Sequence, residues 1–120
     1  MSTRAQVRFA TREEGVSFSE HPNVIHAQFY NHSDGYPEGL GVDIAESITM
    51  NNNPLFAWEI EELTAKHCDL DYIYYIWQHP EKSTWISIFE VGYGEDDKCI
   101  FVGEPSNLID RYKLNTITNG

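Results

Sequence analysis

Apolar and polar side chains begin to alternate almost at the start of the chain. Over Arg4–Thr11, Ala5, Val7, Phe9 and Thr11 share one side, and Arg4, Gln6, Arg8 and Ala10 share the other. That two-residue period predicts a half-buried strand. A second strand is predicted at about Val24–His32, with Ile25, Ala27 and Phe29 inward and His26, Gln28, Tyr30 and His32 opposite. Between the two, Glu13–Asn23 carries Gly15 and Pro22 and reads as a wide loop. Pairing of these strands gathers arginines, histidines and a tyrosine on one polar face.

The period then changes. Asp34-Gly35 and Pro37 force a turn, and Leu40, Ile44, Ala45 and Ile48 fit one face of a helix over Leu40–Met50. Asn51-Asn52-Asn53-Pro54 breaks that helix and predicts a second, with Asn53 as N-cap and Pro54 at the first helical position. The second helix is expected to reach about His67, burying Phe56, Ile60, Leu63 and Thr64 and turning Glu59, Glu61 and Glu62 to water. Three strands follow at Asp71–Gln78, Thr84–Gly92 and Lys98–Val102, the last two joined by the acidic turn Glu95-Asp96-Asp97. In the cleanest of them, Ile86 and Ile88 alternate with Trp85, Ser87 and Phe89. Pro105 opens a short helix with Leu108, Ile109 and Tyr112 on one side, and residues 114–120 read as a flexible tail. The predicted order is ββααβββα. It describes an α+β protein with a mostly antiparallel five-stranded sheet, two central helices and a short C-terminal helix, in one domain over 1–120.

Composition supports a folded chain. At 120 residues, 41% hydrophobic and 13% aromatic, it is long and apolar enough to build a core without metal or disulfide. Cys68 and Cys99 stand far apart with no CxxC partner, so both are expected to be reduced and buried. The first dozen residues hold three arginines and no apolar core, and no run approaches the ~20 apolar residues of a membrane span. A cytoplasmic protein is therefore expected. A net charge of −11 argues against nucleic acid and membrane as partners. It leaves two readings, a merely soluble surface or an acidic face that meets a basic partner.

The densest run of chemistry-bearing residues is Asn31-His32-Ser33-Asp34-Gly35-Tyr36-Pro37-Glu38-Gly39-Leu40-Gly41, joining a strand to a helix through glycines. Free N–H groups at such a helix start suit an anion, and His32 and Tyr36 can hydrogen-bond or stack on a planar base. Asp34 and Glu38 oppose an anion unless they contact a ribose hydroxyl. The structural alternative is a tight turn in which Asp34 caps its own backbone and Tyr36 packs. His32, Asp34 and Glu38 are metal-ligand types, but no second cluster supports them, so neither a metal nor another cofactor is expected. Of eight basic residues, Arg4, Arg8 and Arg12 crowd the start, while Arg111 and Lys113 lie near the end. Such arginines read either as a local phosphate pocket or as a solvated strand edge. Ser33 and His32 are adjacent on a strand and point apart, and no GxSxG, P-loop or HExxH occurs. No enzyme is expected.

Tyr30, His32, Asp34, Gly35, Tyr36, Pro37, Glu38 and Gly39 form a Tyr-x-His-x-Asp-Gly-Tyr-Pro-Glu-Gly core that resembles a family of small phage and prophage proteins. The opening Met-Ser-Thr-Arg and the later Cys99-Ile-Phe-Val-Gly-Glu-Pro-Ser-Asn-Leu-Ile-Asp-Arg-Tyr are also similar to that family. Within this territory the chain resembles the Thoeris anti-defence sponge proteins. Those are oligomeric phage proteins that sequester cyclic ADP-ribose isomers or cyclic oligonucleotides made by bacterial immune enzymes. The resemblance implies a phage protein acting in the host cytoplasm as a homo-oligomer that holds a small nucleotide without cleaving it. For such a ligand, Tyr30, His32, Tyr36 and Trp85 are the candidates for stacking or polar contacts, and Asp34 for a ribose hydroxyl. Arg4, Arg8 and Arg111 are the candidates for phosphate. The alternative is an acidic protein–protein inhibitor. Glu59, Glu61, Glu62, Glu95, Asp96 and Asp97 would imitate nucleic acid toward a basic host defence protein such as a CRISPR effector. A third reading, an enzyme that degrades the signal through His32 and nearby acids, has no motif behind it.

Overall fold

A computed structural model describes residues 3–11, 21–22, 24–32, 34–50, 59–65, 67, 70–79 and 83–113. Among them, β1 (Ala5–Thr11), β2 (Val24–Asn31), β3 (Glu59–Glu61), β4 (Tyr72–Gln78), β5 (Thr84–Glu90) and β6 (Lys98–Gly103) form one mixed sheet. Its strand order is β3-β2-β1-β4-β5-β6. A π-helical turn at Pro37–Gly41 runs into α1 (Val42–Met50), and α2 (Pro105–Tyr112) follows the last strand. The α+β class stands. The sheet, however, has six strands rather than five, and β1 pairs β4 in parallel while every other ladder is antiparallel.

The helix expected to run to His67 does not form over its described part. Glu59–Glu61 is instead a short edge strand, with Gln28 opposite Glu61, Phe29 opposite Ile60 and Tyr30 opposite Glu59. Ile60 and Leu63 are exposed (77% and 48%), and Thr64 is exposed as well, so no apolar helix face is buried there. Helix propensity is a weak prior that tertiary pairing overrides. Here the open edge of β2 offered backbone partners. Glu61 turns its carboxylate inward rather than to water, at 14% side-chain exposure. Asn53, Pro54, Phe56, Ser33, Cys68 and the 114–120 tail lie outside the described residues.

One face of the sheet holds the apolar core. Ala5 and Val7 of β1, Tyr74 of β4, Ile86 and Ile88 of β5 and Phe101 of β6 pack against Leu40, Ile44, Ala45 and Leu108 of the helical layer. Ala5, Val7, Ile86, Ile88, Leu40, Ile44, Ala45 and Leu108 are positions that the alternation and the helical faces single out in the sequence, whereas Tyr74 and Phe101 join them only in the fold. The turn feeding α1 is fixed by close approach. A Cβ on Gly35 would lie 2.9 Å from the Ala5 Cβ, so only hydrogen fits there. Gly35 N–H donates to the Thr3 carbonyl at 3.0 Å, and Leu40 N–H to the Asp34 carbonyl at 3.0 Å. Asp34 adopts a left-handed φ of 56°, which a short polar side chain tolerates better than most. Cys99, expected to be buried, is exposed, because it lies on β6 at the sheet edge. No helix among the described residues is long and apolar enough to cross a membrane.

Tyr74 ties the two layers together. It is fully buried, and its hydroxyl donates to the Gly35 carbonyl at 2.6 Å. Burial foremost, then the negative groups of Tyr72, Glu38 and Tyr112, drive its ionisation far above the ordinary tyrosine value of 10.0. An unfolded tyrosine ionises near that ordinary value. The native preference for the neutral phenol is therefore complete below pH 10 and is lost as pH rises toward the native value. Tyr74→Phe is expected to cost about 1–2 kcal/mol at neutral pH, since it leaves the Gly35 carbonyl without its donor. The variant should also lose less stability than the parent between about pH 9 and 11. Urea denaturation at stepped pH measures both effects.

Candidate binding faces of the sheet

The second face carries a polar row. Strand register sets Glu61, Gln28, Arg8, Tyr75 and Ser87 side by side across β3, β2, β1, β4 and β5. Arg8 donates from Nε to Gln28 Oε1 (2.8 Å), from one terminal nitrogen to the Tyr75 hydroxyl (2.7 Å), and from the other to Gln6 Oε1 (3.0 Å). The amide nitrogens of Gln6 and Gln28 both donate to Glu61 Oε1 at 2.9 Å, and both also reach the Ala65 carbonyl. Each glutamine thus shows its oxygen to the guanidinium and its nitrogen to the carboxylate. Positive and negative charge are linked through two amides without touching. Gln6 and Gln28 are 1% and 0% exposed, so water does not compete for these bonds.

The row extends at both ends. His67 Nε2 lies 2.8 Å from Glu61 Oε2, and the His67 ring stacks on Tyr30 with centroids 4.0 Å apart. At the other end Ser87 Oγ accepts from the Trp77 indole N–H at 2.8 Å and lies 2.8 Å from His21 Nε2. His21 meets Tyr75 and Phe89 edge-on. Ser87 and His21 have the separation of a nucleophile and base, but the serine is 0% exposed and so offers no hydroxyl to a substrate. Cys99 is no better suited to chemistry. Partial burial pushes its thiol up, away from the reactive thiolate, although a backbone hydrogen bond at Phe101 partly opposes this.

The residues expected to share one pocket are dispersed. Arg8 gives three of its five donors to the protein itself. Tyr30 is buried against His67. His32 is exposed and bonds Glu59 at 2.6 Å. Arg4 opens β1, where its N–H donates to Asp71 Oδ2 (3.1 Å) and its carbonyl accepts from the Asp71 N–H (2.8 Å). Trp85 stacks on His79 with centroids 4.3 Å apart and donates to Ser83 Oγ. Arg111 lies over the Tyr112 ring on α2, in the layer on the far side of the sheet from Arg8. Asp34 serves the turn through its backbone carbonyl, which accepts from the Leu40 N–H, while Tyr36 is exposed rather than packed. Among the described residues no three His, Cys, Asp or Glu side chains converge as a metal site.

Tyr36 belongs to a different feature. It lines an open hollow of about 310 Å³ with Thr3, Asp71, Tyr72, Glu90, Val91 and Tyr93. Tyr72 stands opposite Glu90 on the β4–β5 ladder. Val91 N–H donates to the Asp71 carbonyl at 3.0 Å, and the Tyr93 hydroxyl donates to the Leu70 carbonyl. The site is electronegative. Burial first, then the carboxylates of Glu90, Glu38 and Asp71, push the Tyr72 phenol up. Asp43 on α1 is likewise raised, by burial, then by Glu46 and Asp34.

The sequence pattern placed Gln6 and Gln28 on the polar face without a role and put Glu61 on an acidic surface rather than in a buried network, and it gave no site role to His67, Tyr75, Tyr72, Tyr93, Asp71 or Glu90. One signal was present: Gln6, Arg8 and Gln28 all fall on one face of two adjacent strands. It needed the register to acquire a meaning. Compared with protein-family models, with curated proteins and with solved structures, the chain matches none.

The Arg8–Glu61 linkage is measurable. Arg8→Met and Glu61→Met each strand a charge and its amide partners, at an expected cost of about 3–4 kcal/mol each. The double variant removes both charges and is expected to fall short of the summed cost by at least about 1 kcal/mol. A denaturation cycle over the four proteins reads the coupling; strict additivity would mean that the row carries no linked charge.

Proposed function

We propose that this chain is a non-catalytic binding module whose negative surface occupies a basic protein. In the phage setting implied by the Tyr30–Gly39 core, that partner is a host defence effector. The observation that carries this reading is how charge is distributed. Two of the described basic groups are taken up by the protein itself: Arg8 is held by Gln6, Gln28 and Tyr75, and Lys113 bonds Glu46 at 2.8 Å, while Lys98 and Arg111 are exposed. Apart from Glu61, which serves the buried row, the acidic groups nearest the tyrosine hollow and those of the Glu95-Asp96-Asp97 turn stay outward. Asp71 and Glu90 line the tyrosine hollow, Glu38 adds its charge to that of both on Tyr72, and Glu95, Asp96 and Asp97 form an exposed turn. With a net charge of −11, such a surface draws a basic protein from a distance and loses it to salt.

A nucleotide sponge, the other reading raised by the family resemblance, keeps one observation in its favour. Arg8 is preorganised beside the rings of Tyr75, His21 and Phe89, a combination of fixed guanidinium and aromatic faces that suits a phosphate and a base. Its cost is that few of the arginine's donors remain for a ligand.

Two measurements divide the readings. Immobilised protein incubated with bacterial lysate is expected to retain a basic protein at about 50 mM salt and release it at about 500 mM. Retention should weaken when Glu95, Asp96 and Asp97 are all changed to their amides, and absence of any basic protein at low salt would remove the interaction reading. Calorimetry with cyclic ADP-ribose isomers and cyclic di- and trinucleotides is expected to give no heat. Binding that Arg8→Met abolishes would restore the sponge.

A further inference from the structure

Much of the negative charge is diffuse, but the tyrosine hollow is built. Its floor is a strand pair, with Tyr72 and Glu90 in register and Asp71 and Tyr72 at the head of β4. Asp71 is pinned from two directions, its carboxylate by the Arg4 N–H and its carbonyl by the Val91 N–H. Tyr93, 62% exposed, stands as one wall with its hydroxyl anchored on the Leu70 carbonyl. Tyr36, 39% exposed, stands as another at the mouth of the π-helical turn. Three phenol rings and two carboxylates thus line one concave site, and among the described residues no basic side chain lines it.

The size and chemistry of this hollow select its occupant. About 310 Å³ is at the bottom of the ~300–1,000 Å³ range of small-molecule pockets, room for one side chain rather than a whole dinucleotide. Carboxylates exclude a phosphate. Electron-rich ring faces attract a cation, and among cations a planar guanidinium can stack on a ring while giving paired N–H donors to a carboxylate. Lysine offers only a compact, strongly hydrated charge on a flexible stem.

We propose that the hollow walled by Tyr36, Tyr72 and Tyr93 is the seat of one arginine side chain of the partner, held by stacking and by Asp71 and Glu90. The inference rests on the interaction reading above and supplies its point of specificity. Elsewhere the surface provides attraction at a distance; here it provides discrimination.

Titration of the full chain with a fluorescently labelled hexa-arginine peptide tests it, with hexa-lysine as comparison. Hexa-arginine is expected to bind several-fold more tightly than hexa-lysine. Glu90→Gln and Tyr36→Ala should each weaken hexa-arginine binding roughly fivefold, the size of one cation–π or charge contact. Tyr36→Phe keeps the ring and should bind as the parent does. Glu95→Gln removes one charge outside the hollow and should change binding less than about twofold. Thermal melts of each variant exclude unfolding as the cause. If Glu90→Gln and Glu95→Gln weaken binding equally and lysine matches arginine, the hollow is not the seat, although the acidic module stands. If the parent binds neither peptide at low salt, both fall together.

Discussion

A guanidinium and a carboxylate placed on the same buried face of a sheet must be reconciled, and much of this molecule follows from how that is done. Arg8 and Glu61 stand on β1 and β3 with β2 between them, too far apart to pair directly. Gln6 and Gln28 fill the interval, each amide accepting from the arginine and donating to the acid. An amide reversed in its site would set nitrogen against guanidinium and oxygen against carboxylate. The charges therefore fix the orientation of both glutamines. Because the glutamines are fully buried, the arrangement is all or nothing: lose either charge and the remainder is stranded in a low-dielectric layer.

This constraint accounts for β3. The segment after residue 58 carries helical spacing, yet it lies flat along β2 and brings Glu61 opposite Gln28. Ile60 is left at 77% exposure as a consequence. An exposed isoleucine is ordinary and cheap, whereas two buried glutamine amides without an acceptor are not. The turn that follows supplies further acceptors in the Glu62 and Ala65 carbonyls, then His67 on the far oxygen of Glu61. The polar face is in this way a second layer with its own satisfied network. No buried side-chain nitrogen or oxygen among the described residues lacks a partner.

The same use of Arg8 shifts the functional centre of gravity. An arginine whose fork is shared among two glutamines and a tyrosine is a structural cation first. What remains turned to solvent is mainly acid, with tyrosine rings beside it at the β4–β5 end of the sheet. A chain of net charge −11 that puts Arg8 to internal use keeps little of that cation for an anionic ligand on this face. The sheet also separates the features. The polar row lies under one face, while Arg111 rides on α2 over the other.

Period and punctuation in the sequence were enough for five of the strands, for the helix ending at Met50 and for the one opened by Pro105, because those signals are local. Ala5, Val7, Ile86 and Ile88 face the core as their alternation required, and Asp34-Gly35 turns where its residue types demand. The polar face of Gln6, Arg8, Gln28 and Tyr30 was legible too, as a face. What it does was not, because a strand's pattern says which side a residue takes and nothing about what lies across from it. The parallel pairing of β1 with β4 brought Tyr75 to Arg8, and the pairing of β3 with β2 brought Glu61 to the glutamines. Both joined residues more than thirty positions apart. Register between distant segments is set by the global balance of buried charge and hydrogen bonds, and only the folded chain strikes that balance.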